Sequence, residues 1–320
     1  MEVKRFLTGF FLCLTVIFFY CGCGSDESSN LSGKFDDKDK IQVSFISMDK
    51  EVPYWEEIHE GCQKAADEFC FVNYEWQAPF ERDEFLQSEC IEKAVVSGAD
   101  VIIISAIPGK NVNKSLEKAK KAGVKIIYVD NPAQCEGVIT LATDNENAGK
   151  TAGETMLKAL KDAGIQNGVI GIESNSPDMV NTSLRDKGFR KVFEGSSFVI
   201  APTAYAAGNP NITSDDVEEH PEYVGFFGAN QTATLLIGQK MVDSANKQIV
   251  VGFDTAAQTL RLIDDGAIYA TIKQNTKKMG YDGMKIAVEI MSGEYKDKIK
   301  NIDTGVTVIT KENLSQVKFY

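Results

Sequence analysis

The sequence predicts an α/β fold in which mainly parallel sheets alternate with helices. Patterns typical of strands and of helices follow one another in βαβα order from residue 41 onwards. Several strand patterns, such as residues 248–254, are short apolar runs of the kind found in strands buried on both faces of a parallel sheet. A chain of 320 residues with roughly ten strands fits two domains better than one large sheet.

Composition and charge narrow the possible partners. The hydrophobic fraction of 43% and the charged fraction of 25% are ordinary for a globular protein. The formal net charge of −12 is a poor match for nucleic acid, whose phosphates require a basic surface. The same charge does not attract anionic substrates, so we expect no nucleic-acid partner.

The first residues are a targeting segment and not part of the fold. Lys4 and Arg5 precede an apolar run over residues 6–20, which is short for a transmembrane helix. The following segment resembles a bacterial lipoprotein signal, which implies removal of residues 1–22 and a lipid anchor on Cys23. Tyr20 departs from the usual leucine, and an ordinary secretory signal or an uncleaved anchor is the alternative. Residues 23–40 are polar and read as a flexible tether.

The remaining cysteines indicate neither a metal site nor a clear disulfide framework. Their spacing contains no CxxC pair and no zinc pattern, although an exported location permits disulfides. The favoured interpretation is that they are buried free thiols that pack as small hydrophobic residues. They are Cys62, Cys70, Cys90 and Cys135. We expect neither a metal ion nor a cofactor.

Taken in chain order, the pattern predicts the following elements. The strands cover residues 41–48, 71–76, 101–104, 124–129, 138–142, 169–172, 198–201, 223–228, 249–253, 268–272 and 305–309. The helices cover residues 53–69, 85–96, 113–122, 145–160, 184–194, 215–219, 232–244, 255–265 and 278–291. Pro53 suits a first helical turn. Thr143 and Glu146 have the spacing of a capping box, and Gly149 and Gly153 predict a helix that packs closely on a sheet.

Asp254 directly follows the apolar strand at residues 249–253. Ligands of open α/β sheets bind beyond the carboxyl ends of the strands, so this carboxylate is placed to meet a ligand. The structural alternative is that Asp254 caps a helix that begins near Thr255, because Asp is a favoured N-cap residue. The local sequence leaves both interpretations open.

Eight segments in order carry a resemblance to a known family. They are VPYW (52–55), SGADVIIISA (97–106), VD (129–130), TDNENAGKTAGE (143–154), EEHPEYVGFFGAN (218–230), VVGFD (250–254), ATIKQNTKKMGYDGM (270–284) and IDTGVTVITKENL (302–314). On these segments, residues 41–314 resemble the type I periplasmic sugar-binding proteins, the ribose-binding-like solute receptors of ABC importers.

The resemblance implies two Rossmann-like lobes with parallel sheets, joined by a three-strand hinge, with the ligand in the cleft between them. The first lobe would cover residues 41–143 plus 275–305, and the second residues 144–274 plus 306–320. The chain would cross between the lobes near residues 143, 274 and 305. The resemblance also implies a monomer that binds its ligand without catalysis.

The resemblance assigns a set of ligand-binding side chains suited to a sugar, with carboxylates and amides for the hydroxyls and aromatic rings for the apolar faces. The carboxylates and amides are Asp130, Asp254, Asn230 and Gln274. The aromatic residues are Tyr54, Trp55, Phe253 and Tyr205. The smaller polar residues are Ser47, Ser105, Thr143 and Asn131.

Structural alternatives stand beside several of these assignments. Tyr54 and Trp55 could be core residues of their helix, and Asp130 could only end its strand in a turn. Thr143, Asp144 and Asn145 could only cap the next helix, which is the preferred interpretation for these residues.

Two departures from the ribose-binding pattern concern arginine. Asn131 stands where the family has arginine after the first carboxylate. The position of a second arginine aligns with Ser183, although Arg185 lies close by. The loss of both would remove strong hydroxyl donors, which argues against ribose but not against a neutral polyol of similar size.

The expected function is therefore an extracytoplasmic lipoprotein, anchored to the membrane, that captures a monosaccharide or similar polyol for an ABC importer permease. The alternative is a receptor that uses the same module to signal to a membrane histidine kinase or chemoreceptor. An enzyme on this fold is less favoured, because His59 and His220 have no nucleophile motif beside them.

Overall fold

The computed structural model describes residues 40–50, 53–242, 244, 248–296 and 299–317. The predicted leader, the lipidation residue Cys23 and all of the tether except Lys40 lie outside these ranges. In the part of the chain that is described, no helix combines the length and the apolar character needed to cross a bilayer.

The first sheet is built from six parallel strands. They are β1 (Ile41–Ile46), β2 (Val72–Gln77), β3 (Val101–Ile104), β4 (Lys125–Val129), β5 (Ile139–Ala142) and β11 (Asn301–Asp303). Their order across the sheet is β11-β5-β4-β3-β1-β2. All four residues of β3 are buried, as expected for a central strand covered by helices on both faces.

The second sheet also has six strands. They are β6 (Gly168–Ser174), β7 (Phe198–Tyr205), β8 (Gly225–Gly228), β9 (Ile249–Phe253), β10 (Ala270–Gln274) and β12 (Val306–Thr310). Their order is β12-β10-β9-β8-β6-β7, and only the β10/β12 pair is antiparallel. The predicted α/β class with two mainly parallel sheets is confirmed.

Helices cover the sheets, and a short 3₁₀ turn, Leu314–Gln316, ends the described chain. The helices are α1 (Pro53–Ala66), α2 (Glu84–Val96), α3 (Lys110–Lys121), α4 (Asn145–Asp162), α5 (Val180–Phe193), α6 (Pro210–Glu219), α7 (Gln231–Val242), α8 (Ala257–Asp264) and α9 (Thr276–Ser292). We call the first sheet with α1–α3 and α9 the first lobe, and the second sheet with α4–α8 the second lobe. Helices α1 and α9 pack on each other, as do α4 and α5.

The core of the second lobe lies on both faces of its sheet. Phe227 and Val251 belong to an apolar cluster with α4 and α5, whereas their strand neighbours Phe226 and Val250 belong to a cluster with α6, α7 and α8. Because successive residues of a strand point to opposite faces, both faces need apolar side chains. This explains why the strand patterns in the sequence are continuous apolar runs.

Three crossings connect the lobes, and hydrogen bonds tie them together. The chain passes from β5 to α4, from β10 to α9 and from β11 to β12. The Asp144 N–H donates to Asp303 Oδ1 at 2.9 Å, and Asn275 Nδ2 donates to the Thr304 carbonyl at 3.0 Å. The crossings therefore form one hydrogen-bonded bundle beside the cleft.

Several local expectations differ from the structure. The N-cap of α4 is Asp144, whose carboxylate accepts from the Asn147 N–H at 3.0 Å, so the predicted capping box that begins at Thr143 is wrong. Glu146 instead pairs with Lys187 and Lys191 of α5. The strand β11 was not predicted, because three mostly exposed residues give no apolar pattern and only pairing with β5 makes them a strand.

The cysteines follow the prediction only in part. Cys62, Cys90 and Cys135 are free thiols, and Cys62 and Cys135 are buried. Burial raises the pKa of Cys62 to about 12, so this thiol stays protonated. Cys90 is half-buried and Cys70 is exposed, so the expectation that all four are buried is wrong.

The glycines of α4 face a helix and not the sheet. A Cβ atom at Gly149 would lie 2.0 Å from the Arg185 carbonyl oxygen of α5. A Cβ atom at Gly283 in α9 would lie 3.7 Å from its nearest neighbour, which is ordinary contact. Glycine is therefore needed at the α4–α5 contact but not at Gly283.

We expect Gly149→Ala to lower the free energy of unfolding by about 1–3 kcal/mol, because the added methyl group must push α5 away from α4. Gly283→Ala is the matched control, and it should raise the free energy by about 0.5–1 kcal/mol by removing a helix-interior glycine. Urea unfolding of the two variants measures both values. An equal effect of the two substitutions would contradict the close helix contact.

Candidate functional site

Two aspartates directly follow a strand of each sheet and share the same backbone conformation. Asp130 follows β4 and Asp254 follows β9, and both have positive φ angles, of 62° and 67°. Their N–H groups still donate to the neighbouring strands, to the Leu141 and Ile272 carbonyls, each at 2.9 Å. A left-handed conformation costs an L-residue about 1–2 kcal/mol, and such strain concentrates at functional sites. The geometry supports the sequence-based placement of both carboxylates at a ligand site.

The structure also decides the local question at Asp254. Helix α8 begins at Ala257, and its N-cap residue, Ala256, makes no side-chain capping bond. Asp254 lies outside this helix start, so the interpretation that it caps a helix from Thr255 is wrong. Its carboxylate is used in the cleft instead.

A chain of hydrogen bonds runs through the cleft from Asp130 to Asp254. The Tyr54 hydroxyl lies 3.2 Å from Asp130 Oδ1 and 3.4 Å from Gln274 Oε1. Gln274 Oε1 also accepts from Thr143 Oγ1 at 2.8 Å, and Gln274 Nε2 donates to Asp254 Oδ1 at 2.9 Å. Five sequence-predicted site residues thus meet in one network, in which Thr143 is a donor.

The sequence did not decide whether Arg185 belongs to the candidate site. It is only 3% exposed. Its Nε donates to Asn145 Oδ1 at 2.9 Å, and one terminal nitrogen donates to the Ala229 carbonyl at 3.1 Å. The guanidinium lies 3.8 Å from the centre of the Phe253 ring, which is a cation–π contact.

The sequence contains a pattern that indicates burial of Arg185. The buried face of α5 contains Arg185 together with Gly188 and Phe189, at helical spacing. A charged residue within such an apolar stripe is rarely buried unless it is paired. The resemblance assigns the family arginine to Ser183, two residues before Arg185, whereas helix α5 directs Arg185 towards Phe253.

Burial dominates the electrostatics of the site. Burial raises the pKa of Asp130 to about 6, although the Tyr54 hydrogen bond and the Arg185 charge partly oppose the shift. Burial, assisted by the charges of Asp130 and Asp254, also raises the pKa of Tyr54 well above its ordinary value, so the phenol is neutral and donates. Burial lowers the pKa of Arg185, while the two carboxylates and Tyr54 oppose that change.

Two predicted site residues are buried donors without a partner among the described residues. They are Trp55, through its indole Nε1, and Asn230, through Nδ2. Trp55 is 5% exposed and packs edge-on against Tyr54, with ring centres 4.9 Å apart. Asn230 uses its carbonyl to cap α7, accepting from the Ala233 N–H at 3.0 Å. Buried donors normally have partners, so these two indicate a place for a ligand acceptor.

Phe253 differs from the expectation that its ring covers a ligand. The ring is fully buried, with Arg185 over its face and Phe227 against it at 6.4 Å between ring centres. Its ring therefore supports the guanidinium of Arg185. The ring is buried because β9 packs against α4 and α7.

The smaller polar residues divide into two groups. Asn131 and Ser105 contact Asp130 Oδ2, at 3.0 and 3.5 Å, and so belong to the first carboxylate. Ser47 instead donates to the Asp49 carbonyl at 2.7 Å and accepts from Trp76 Nε1 at 2.9 Å. Both hydrogen bonds lie within the first lobe. Tyr205 ends the edge strand β7, and no described contact joins it to the network.

A cavity of about 150 Å³ lies beside this network. Residues of both lobes line it, including Tyr54, Asp254 and Gln274. A larger cavity of about 650 Å³ lies at the opposite ends of the first-sheet strands, next to Lys125 and Lys300. Three members of the network, Tyr54, Gln274 and Asp254, line the smaller cavity, so we place the candidate site there.

The histidines lie elsewhere. His59 is 2.8 Å from the Tyr74 hydroxyl and stacks on Trp76, and His220 stacks on Tyr223. Within the described ranges, no group of three or more acidic, histidine or cysteine side chains is arranged to hold a metal ion.

Comparison with known proteins supports the class that the two lobes and the cleft define. Residues 43–295 match the family described as periplasmic binding protein domain. The chain belongs to this family, and the resemblance to its type I sugar-binding members is confirmed.

Relatives and solved structures agree with this family. The D-ribose/D-allose-binding protein of Pseudomonas aeruginosa is 25% identical over 248 residues, which cover 72% of this chain and 76% of that protein. The ribose import binding protein of Haemophilus influenzae is 24% identical and covers 80% of this chain and 87% of its own. A solute-binding protein from Burkholderia graminis, solved with D-arabinose, has a TM-score of 0.72 and 27% identity, and covers 87% of this chain and 98% of its own.

We expect Tyr54→Phe to raise the pKa of Asp130 above its value of about 6, because the hydroxyl hydrogen bond that stabilises the carboxylate is lost. Carboxyl carbon NMR across a pH titration of the ligand-free protein measures this value. Tyr74→Phe is the control, since that hydroxyl bonds His59 and not the site. An unperturbed Asp130, titrating near 4, would contradict the buried network.

Proposed function

We propose that this protein is an extracytoplasmic solute-binding protein that captures a monosaccharide or similar neutral polyol in the cleft and delivers it to an ABC importer. The observation that carries the proposal is the cavity at which Tyr54 of the first lobe meets Asp254 and Gln274 of the second. A site built from two lobes can enclose a small ligand by closing around it.

The chemistry of the site suits a hydroxylated ligand. Asp130 and Asp254 accept hydrogen bonds from hydroxyl groups, and Asn230, Trp55 and Arg185 can donate to hydroxyl or ring oxygens. The aromatic pair Tyr54 and Trp55 supplies apolar surface for the C–H groups of a sugar ring. A cavity of about 150 Å³ is of the scale of one such ring and not of an oligosaccharide.

The relatives narrow the ligand class. Their names specify ribose, allose and apiose, and two structures at 27% identity were solved with D-arabinose. We propose that Arg185 takes the role of one of the two arginines of the ribose-binding pattern, because its guanidinium lies over Phe253 beside Asp254. Asn131 still replaces the other, so we propose a monosaccharide without specifying ribose.

We favour delivery of the bound sugar to an importer over signalling to a sensor. Several relatives are import binding proteins, which supports an ABC permease as the partner in preference to a sensor kinase or chemoreceptor. The same relatives are binding proteins, which supports a role without catalysis. We propose a monomer, held at the outer face of the membrane by lipid on Cys23.

The proposed mechanism is closure of the lobes about the three crossings near residues 143, 274 and 305. The moving bodies are residues 41–143 plus 275–305 and residues 144–274 plus 306–320. Ligand binding shifts the population towards the closed form, because only that form offers hydrogen bonds from both lobes. The permease would recognise the closed form.

We expect Asp254→Ala to weaken binding of the cognate sugar by at least about a hundredfold, because hydrogen bonds to a charged acceptor contribute about 1.5–3 kcal/mol each. Isothermal titration calorimetry measures the affinity, and circular dichroism checks that the variant is folded. Asp265→Ala, at an exposed helix end, is the matched control and should bind normally. Wild-type affinity in Asp254→Ala would refute the site.

A thermal-shift screen against pentoses, hexoses and inositols tests the ligand class. A ligand at one hundred times its Kd stabilises the folded protein by about 2.7 kcal/mol, which raises Tm by several degrees. We expect one group of monosaccharides to produce this shift. No shift with any neutral polyol would refute sugar binding.

A further inference from the structure

An ion pair joins the two lobes beside the candidate site. Lys273 of β10 donates to both carboxylate oxygens of Glu57 of α1, at 2.7 and 2.6 Å. The Thr276 hydroxyl, at the start of α9, donates to the same carboxylate. Glu57 is only 9% exposed, and the Lys273 side chain is 21% exposed. The pair is therefore largely removed from solvent.

The position of this pair connects it to the cleft network. Lys273 directly precedes Gln274, and Glu57 follows Tyr54 by one helical turn. Both charged residues line the same cavity as Tyr54 and Gln274. The ion pair thus joins the two segments whose neighbouring side chains face each other at 3.4 Å in the network.

We propose that Glu57 and Lys273 are positioning residues that stabilise the closed arrangement of the lobes and hold Tyr54 and Gln274 in register. We call this pair the Glu57–Lys273 clamp. The inference rests on the proposed function, since it concerns the affinity of the same site. It adds two residues that the pattern of ligand-binding side chains does not contain.

The clamp acts through the cost of burying a charge without its partner. Glu57 belongs to the first lobe and Lys273 to the second, and the crossing at residues 274–276 lies between them. When the lobes open, the two charges separate and are hydrated by water. When the lobes close, each charge loses water but gains the other, so a protein that lacks one partner must bury an unpaired charge in order to close.

The test uses Lys273→Met and Glu57→Gln, each of which leaves one charge unpaired. We expect each to raise the Kd for the sugar found in the thermal-shift screen by about tenfold, mostly through faster dissociation. The double variant Glu57→Gln/Lys273→Met buries no unpaired charge, so its Kd should return to within about threefold of wild type. Stopped-flow fluorescence of the site tryptophan separates the association and dissociation rates.

The matched control is the neighbouring pair Glu60 and Lys277, which joins α1 to α9 within the first lobe. Glu60→Gln and Lys277→Met should leave the association and dissociation rates within about twofold of wild type. Both residues belong to the first lobe, so closure of the lobes does not change the distance between them. Purely additive losses in the Glu57 and Lys273 variants, or equal losses in the control pair, would overturn the clamp.

A measurement without ligand separates the clamp from the proposed function. Small-angle X-ray scattering of the ligand-free protein should show a larger radius of gyration for Lys273→Met than for wild type, and no change for Lys277→Met. If this difference is seen but no sugar binds, the clamp stands and the proposed function fails. If a sugar binds to wild type and to all variants alike, the function stands and the clamp is overturned.

Discussion

The amide of Gln274 is the point at which the two halves of the site are joined. Its oxygen accepts from the Thr143 hydroxyl and lies within reach of the Tyr54 hydroxyl, and its nitrogen donates to Asp254. A reversed amide would set its N–H₂ group against hydroxyl groups and its oxygen against a carboxylate, so the network defines its orientation. Because Gln274 ends β10 at a chain crossing, its position depends on both lobes at once.

The charges of the cleft are arranged around this amide so that few polar groups remain unpaired. Asp130 is half-buried with Tyr54 and Asn131 as donors, and Arg185 is buried between a carbonyl, an amide and an aromatic ring. Each such group would be costly to bury alone. The donors still without described partners, on Trp55 and Asn230, are the ones that a hydroxylated ligand could satisfy.

The fold follows from a simple rule of parallel sheets. The carboxyl ends of the strands of each sheet lie at one edge, and a polar residue placed just after an apolar strand is delivered to that edge. Asp130 and Asp254 obey this rule in separate sheets, with similar positive φ angles. This repetition is why a single chain can build a cleft whose two walls carry matching carboxylates.

Sequence patterns predicted much of this, and the misses have physical causes. The start of α1 at Pro53 and the buried strands β3 and β9 were readable, because proline geometry and apolar runs act locally. The strand β11 was not, since its short polar segment is a strand only through pairing with β5.

The sequence by itself determined the α/β class, the order of the elements and the residue types that end the central strands. These depend on local periodicity and on the contrast between apolar runs and polar ends. Only the tertiary structure decided that Arg185 lies in the cleft with its guanidinium on the Phe253 ring. It also decided that Glu57 and Lys273 form an ion pair between the lobes. Such contacts join residues far apart in the chain, and their distances are set by how helices and sheets pack.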